Sequence, residues 1–263
     1  MLLVLDMGNT EIKIGVFQNK QLIERFHIAT DLKKSSDEYY ATISSIFVAA
    51  KLDIALIEGA ILASVVPPLT GVIVKTIESL FNVTPLIVGP GTKTGLKINI
   101  DHPNELGSDL VIDAVSVKER YGYPAIIIDL GTANKIMALD KNGDFVGVSF
   151  TVGIRTGVES LSSSTAQLPQ VSLKKPSKIL GKNTADSINS GAIYGTKALL
   201  RGLMIMIEEE LGYETKHILT GGYAKLLFDN LKVPLDIIYD QDLSLHGLRL
   251  IYNRNHGGED HKK

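Results

Sequence analysis

The sequence predicts an α/β fold built as two similar halves, and three observations carry that prediction. Short apolar runs alternate with stretches of helical periodicity along the chain. An apolar run ending in Asp-x-Gly occurs twice, and its two aspartates, Asp6 and Asp129, stand 129 − 6 = 123 positions apart, nearly half the chain. The 263 residues are 44% hydrophobic and 21% charged, which suffices for two middling cores. A motif repeated at that distance reads as internal duplication.

In chain order, residues 2–5 form an apolar strand that stops at Asp6, and residues 11–17 alternate apolar and polar, giving strand, tight turn and strand. A third strand is expected over 22–29, after the turn at Asn19-Lys20. Tyr39, Ile43, Ile46 and Phe47 recur at helical spacing within 37–50, with Ser36 placed to cap that helix. Residues 59–66 make a buried-strand pattern closed by Pro67-Pro68. A helix is then expected over 72–81, a strand over 84–88 and a Gly/Pro/Thr loop over 89–95. Gly107-Ser108 open a helix running to about Tyr121.

The second half restarts with an apolar strand from Ala125 to the Asp129-Leu-Gly-Thr132 bend, then a hairpin through 136–139, a turn at 141–144 and a strand from Phe145. A helix is expected over 196–210. A strand from Lys216 runs into the Gly221-Gly222 turn before a helix over 224–230. This divides the chain into domains of 1–115 and 116–252, followed by a polar tail over 253–263.

Composition excludes several kinds of function. Lys and Arg number 27 against 29 Asp and Glu, a net charge of −2, and Lys33-Lys34 and Lys174-Lys175 have no interleaved aromatics, so neither nucleic acid nor a membrane is an expected partner. The absence of cysteine excludes disulfides, thiolate metal sites and a cysteine nucleophile. The first apolar run is too short for a signal peptide, which predicts a cytoplasmic protein. The six histidines show no metal spacing, and His256 and His261 fall in the polar end. Met204-Ile205-Met206-Ile207 read as core or dimer contacts, and Glu208-Glu209-Glu210 as a solvated helix end.

The two acidic bends suggest chemistry. A glycine-containing turn between strands exposes N–H groups that cradle phosphate oxygens. A carboxylate at its start repels phosphate unless a cation lies between them, so Asp6 and Asp129 read as ligands, direct or through water, of Mg²⁺ or another cation. Asn9, Thr10 and Thr132 add uncharged donors, and Lys13 can reach a phosphate. Two such hairpins facing each other across a cleft, with the Gly221-Gly222 turn for a base or ribose, make a nucleotide site. Asp109 falls in the first turn of a helix, where the macrodipole favours an ionised carboxylate. Ser108 and Asp109 also suit helix capping whatever the function.

The ordered set resembles the ATPase superfamily of actin, hexokinase and the heat-shock chaperones, and within it the type III pantothenate kinases. The resemblance runs from Asp6-Met-Gly-Asn-Thr10 to Leu245-His-Gly-Leu248. It takes in Asp37-Glu-Tyr39, Ser64-Val-Val-Pro67, Pro103-Asn-Glu-Leu-Gly107-Ser-Asp109 and Asp129-Leu-Gly-Thr-Ala133. It continues through Leu168-Pro169, Gly181-Lys-Asn-Thr184, Ser190-Gly191, Tyr194-Gly195 and Thr220-Gly-Gly222.

The resemblance implies duplicated RNase H-like domains with an inter-domain nucleotide cleft. It also implies ATP-dependent phosphorylation of the primary hydroxyl of pantothenate, the first step towards coenzyme A. The implied enzyme is a homodimer whose active sites borrow residues from the neighbouring chain, and it uses Mg²⁺ with a monovalent cation, potassium or ammonium. Carried over by motif, Asp6, Met7, Gly8, Asn9, Thr10, Glu11, Ile12, Lys13, Thr132, Gly221 and Gly222 would contact ATP. Asp6 would serve Mg²⁺, directly or through water, and Asp129 the monovalent cation. Gly107, Ser108, Asp109, the residue at 110 and Thr184 would line the pantothenate pocket, with Asp109 as the base.

The chain departs from the family pattern mainly on the acid-substrate side. Leu110 stands where the family has arginine, Ile100 where it has tyrosine and His102 where it has asparagine. Losing a charged hydrogen bond costs roughly 1.5–3 kcal/mol, or about ten- to over a hundredfold in affinity. Asn134-Lys135 replace Thr-Thr, and the stretch from Gly147 to Gly153 lacks the second glycine and the proline. Three readings stay open: a pantothenate kinase with weak binding or a rearranged contact through Lys135 or Arg155, a kinase of another small hydroxyl substrate, and a non-catalytic nucleotide-binding paralogue in regulation. Asp109 and both hairpin aspartates favour an active enzyme.

Overall fold

Side-chain alternation along the first strand sorts one half of the molecule into two faces. The computed structural model describes residues 1–228 and 237–257. In it β1 (Leu2–Met7) pairs antiparallel with β2 (Glu11–Gln18) and parallel with β4 (Gly59–Ser64). With β3 (Gln21–Ala29) and β5 (Leu86–Ile87) the sheet order is β3-β2-β1-β4-β5. Leu3, Leu5, Met7, Ile12, Ile14 and Val16 are buried in one cluster with side chains of α1 (Ser36–Ala49) and α2 (Pro67–Phe81). Each such burial contributes about 1.5–3 kcal/mol.

The alternate residues Leu2, Val4 and Asp6 face the other way, towards α8 (Leu243–His256). A Cβ on Gly15 would lie 2.9 Å from Val4 and 3.1 Å from Leu245, so the glycine lets α8 settle on the sheet. Where α8 crosses α3 (Ser108–Arg120), a Cβ on Gly247 would come 1.9 Å from the Ile112 carbonyl oxygen. Only glycine permits that crossing.

Two helix starts differ from the sequence reading. Ser35, not Ser36, caps α1: its hydroxyl accepts from the Glu38 N–H at 3.3 Å, and the Glu38 carboxylate accepts from the Ser35 N–H at 2.8 Å. This is a reciprocal capping box, and the bond from the Ser35 backbone holds the Glu38 carboxyl below its ordinary pKa. Pro67-Pro68 begin α2 rather than closing the strand before it, because the first helical positions need no N–H partner.

The second sheet repeats the first. Its strands β6 (Ala125–Leu130), β7 (Ala133–Leu139), β8 (Phe145–Val152), β9 (Lys216–Thr220) and β10 (Ile237–Tyr239) run in the order β10-β9-β6-β7-β8. β6 pairs antiparallel with β7 and parallel with β9, as β1 does with β2 and β4. Between β8 and β9 lie α4 (Ile154–Ser164), α5 (Thr184–Ser190), a π-helical turn over Gly191–Gly195 and α6 (Thr196–Leu211). Ile126, Ile128, Leu130 and Ile136 pack with Ile154, Leu200 and Met204 as its core. Of the helix expected over 224–230, α7 covers Ala224–Phe228 and the rest lies outside the described residues.

By contact the chain forms two units. One holds Met1–Leu96, His102–Glu119 and α8, and the other holds Lys97–Asp101 and Arg120–Asp242. α8 closes the sequence yet groups with the first half. The stretch from Asn253, expected as a polar tail, is helical as far as His256, and the Asn255 amide exchanges hydrogen bonds with the Lys93 backbone at 3.0 and 3.1 Å. His261 lies outside the described residues. No helix among the described residues is long and apolar enough to cross a membrane.

The α6 run expected as core or dimer contacts divides between the buried Met204 and the 44% and 63% exposed Ile205 and Met206. α6 corrects one expectation: Glu208 is no solvated end residue. Its carboxylate accepts from the Thr215 N–H at 2.8 Å and hydroxyl at 2.9 Å, and lies 3.1 Å from His217 Nε2.

Candidate active site

The first acidic bend is fixed by backbone bonds. The Gly8 N–H donates to the Glu11 carbonyl at 3.0 Å, turning the chain through Asn9 and Thr10. Thr30, just after β3, braces the bend: its hydroxyl donates to the Gly8 carbonyl at 2.7 Å and its N–H to the Thr10 carbonyl at 3.0 Å. Asp6 and Lys13 are register partners across β1 and β2, with Nζ 3.9 Å from Oδ2. Both therefore project from one sheet face at the end of β1.

The carboxylate at the start of α3 is brought to the same end of the central strands. Met7 pairs with Ser64, the last residue of β4. The Ser64 hydroxyl accepts from the Val66 N–H at 3.1 Å and lies 2.8 Å from Thr70 Oγ1, while its carbonyl accepts from the Ser108 hydroxyl at 3.0 Å. Ser108 thus pins the α3 N-terminus to the end of β4. The Asp109 Oδ1 accepts at 3.0 Å from the Leu110 N–H, which also donates to the Gly107 carbonyl at 3.1 Å. Leu110 itself is buried, only 4% exposed.

The second bend is built to the same plan, one residue tighter. The Gly131 N–H donates to the Ala133 carbonyl at 3.3 Å. Asp129 pairs in register with Lys135 on β7 and with Thr220 on β9. Lys135 Nζ lies 2.6 Å from Asp129 Oδ2. Gly221 follows with φ +99°, and a Cβ on it would fall 2.4 Å from Asp129 Oδ1 and 2.5 Å from the Leu130 nitrogen. The Gly221-Gly222 turn therefore lies against Asp129, bringing together two features that sequence reading assigned to one nucleotide site.

Around it, the Thr132 carbonyl accepts from the Gly153 N–H at 3.2 Å and the Thr156 hydroxyl at 2.9 Å. The buried Asn134 amide donates to the Val152 carbonyl at 2.9 Å and Thr151 Oγ1 at 3.2 Å, bracing β7 to β8. Arg155 is engaged with Glu159 at 2.7 Å, a bond that raises its pKa further. Thr184 is exposed at the start of α5, where Asn183 caps the helix by accepting from the Asp186 N–H at 2.8 Å.

The donor set bears on which ions these bends suit. Among the described residues no group of three His, Cys, Asp or Glu side chains converges. Asp6 alone at the first bend suits Mg²⁺, which is held mainly by phosphate oxygens and water with one or two carboxylates. Sequence reasoning did not assign roles to Thr30 and Ser64, or a partner to Lys135. For Lys135 a signal existed, since antiparallel register places it opposite Asp129.

A family model described as type III pantothenate kinase matches residues 2–205. Type III pantothenate kinase of Halalkalibacterium halodurans is 39% identical over 255 residues, covering 97% of this chain and 100% of the relative. That of Myxococcus xanthus is 35% identical over 256 residues, covering 97% and 99%. Among solved structures, the activator of a 2-hydroxyisocaproyl-CoA dehydratase from Clostridium difficile, with bound ADPNP, superposes with TM-score 0.54 at 11% identity, covering 100% of this chain and 98% of that one. Likeness at that identity speaks to the fold, a two-domain α/β architecture of the actin-like ATPase kind.

Proposed function

The chain belongs to the type III pantothenate kinase family, and from that premise we propose which of its residues carry the reaction. The reaction itself is ATP-dependent phosphorylation of pantothenate in coenzyme A biosynthesis, a phosphoryl transfer to an alcohol. The observation that carries the assignment of roles is the Ser108–Ser64 hydrogen bond, which holds the start of α3 at the end of β4, beside the Asp6 bend that ends β1.

In this reading Asp109 accepts the proton of the primary hydroxyl as its oxygen attacks the γ-phosphorus of ATP, giving 4′-phosphopantothenate and ADP. Proton transfer comes late in a loose transition state, so a well-positioned carboxylate suffices. The turn through Asn9 and Thr10, with Met7, Gly8, Glu11 and Ile12 around it and the Lys13 ammonium, holds the phosphates. Mg²⁺, served by Asp6 through water, would neutralise the charge on them. Thr132, Gly221 and Gly222 contact the nucleotide, and Gly107, Ser108, Leu110 and Thr184 line the acid substrate's place. Asp129 is differently placed, because Lys135 already holds its Oδ2.

The exposed apolar stripe of α6, Leu199 and Met206 with Gly202 between them, supports a homodimer. The balanced charge supports small-molecule substrates rather than nucleic acid or membrane, and the need for ATP supports a cytoplasmic setting. Asp109→Asn tests the assignment. Phosphate transfer to pantothenate should fall by about 10² or more while calorimetry still detects Mg-ATP binding. Undiminished transfer removes Asp109 from the chemistry.

A further inference from the structure

The Asp129 carboxylate does not fit a free monovalent cation, because a cation of the chain itself occupies it. Lys135 Nζ lies 2.6 Å from Asp129 Oδ2, and the two side chains are only 17% and 12% exposed. The contact is dictated by register, since the residues face each other across the β6–β7 ladder. The second carboxylate oxygen lies against the Gly221 backbone: Oδ1 is 2.4 Å from the place a Cβ on Gly221 would take.

The same arrangement exists in the other half. Asp6 faces Lys13 across β1–β2, so each duplicated hairpin carries one aspartate and one lysine on its outgoing strand. The two differ in closeness, at 3.9 Å for Lys13 and 2.6 Å for Lys135. Lys13 stands off its carboxylate, whereas Lys135 closes on its own.

We propose that the Lys135 ammonium is a built-in substitute for the monovalent cation, so that this kinase works without potassium or ammonium ion. The proposal rests on the reading of the Asp129 bend as part of the ATP site. A lysine ammonium carries the same charge as an ammonium ion and donates through the same N–H groups. Held by its own strand, it reaches the carboxylate as an intramolecular partner at an effective concentration no free ion needs to match. A potassium ion entering there would meet a like charge at contact distance from the oxygen it requires. Threonine, the family's residue at 135, leaves the carboxylate open to a free ion.

The test uses the full chain and compares chloride salts of potassium, ammonium and tetramethylammonium at equal ionic strength. Two quantities are read: the rate of pantothenate phosphorylation and the thermal midpoint. The native protein should show the same rate and midpoint in all three salts. Lys135→Thr should lose about tenfold or more in rate in tetramethylammonium, the equivalent of one charged hydrogen bond, and regain it with potassium or ammonium. Its midpoint should also rise with either ion. Lys135→Met serves as a second variant if the threonine change impairs folding.

A native enzyme that needs potassium for rate, or whose midpoint rises specifically with it, overturns the proposal while leaving the kinase reading intact. A protein that phosphorylates nothing in any salt defeats the kinase reading instead. The midpoints of native protein and variants then still decide whether Lys135 fills the place of the ion.

Discussion

The Asp109 carboxylate lies directly over the α-carbon of Gly107: a Cβ on residue 107 would come within 2.5 Å of Asp109 Oδ1. The glycine two residues before the proposed base is thus a requirement of that carboxylate's orientation, set against the Leu110 N–H at 3.0 Å.

Gly107→Ala should therefore displace the carboxylate without removing it. Misplacing a catalytic group by about 1 Å can cost on the order of 10² in rate. The expected outcome is a large fall in kcat with Mg-ATP binding and thermal midpoint nearly unchanged. An unaltered kcat would show that the carboxylate's position is unimportant.

Leu110→Arg places a guanidinium where the family has one. If residue 110 borders the pantothenate carboxylate, its KM should fall by about tenfold or more. The thermal midpoint should fall too, since Leu110 is 4% exposed and a charge there must work its way to water. A lower midpoint with unchanged KM takes residue 110 out of the substrate pocket.

Glu208→Gln probes the end of α6. Burial pushes the Glu208 carboxyl up, but hydrogen bonds from the Thr215 N–H and hydroxyl and the neighbouring His217 outweigh it, holding the group below its ordinary 4.5. An acid held low stabilises the fold while ionised, so its contribution is present above pH 4.5 and is lost as pH falls through the folded value. The variant should melt below the native protein at pH 7, and the gap should narrow under acid. A gap constant with pH would contradict an ionised Glu208.

Met206→Glu addresses assembly. Met206 is 63% exposed on the face of α6 opposite the buried Leu200 and Met204. If that stripe seals a dimer, a carboxylate there should shift the protein to monomer in light scattering, with the monomer's secondary structure preserved. A dimer that survives the change places the interface elsewhere.

The sequence alone determined the duplicated α/β plan, because hydrophobic alternation and the two Asp-x-Gly bends are local properties of the chain. It also marked Asp6, Asp109 and Asp129, each of which lies in a motif of a few consecutive residues. It placed the α1 cap one residue late and took Pro67-Pro68 as an ending, since a proline pair reads as a break until its role as a first helical turn is seen. What only the tertiary structure decided concerns partners distant in sequence or across a ladder. Glu208 left the solvated class because β9 brings His217 beside it. Ser64 gained a role because the chain returns 44 residues later to donate Ser108 to its carbonyl. Lys135, offered by sequence as a rearranged substrate contact, gained Asp129 as a partner, because cross-strand register sets which charges meet.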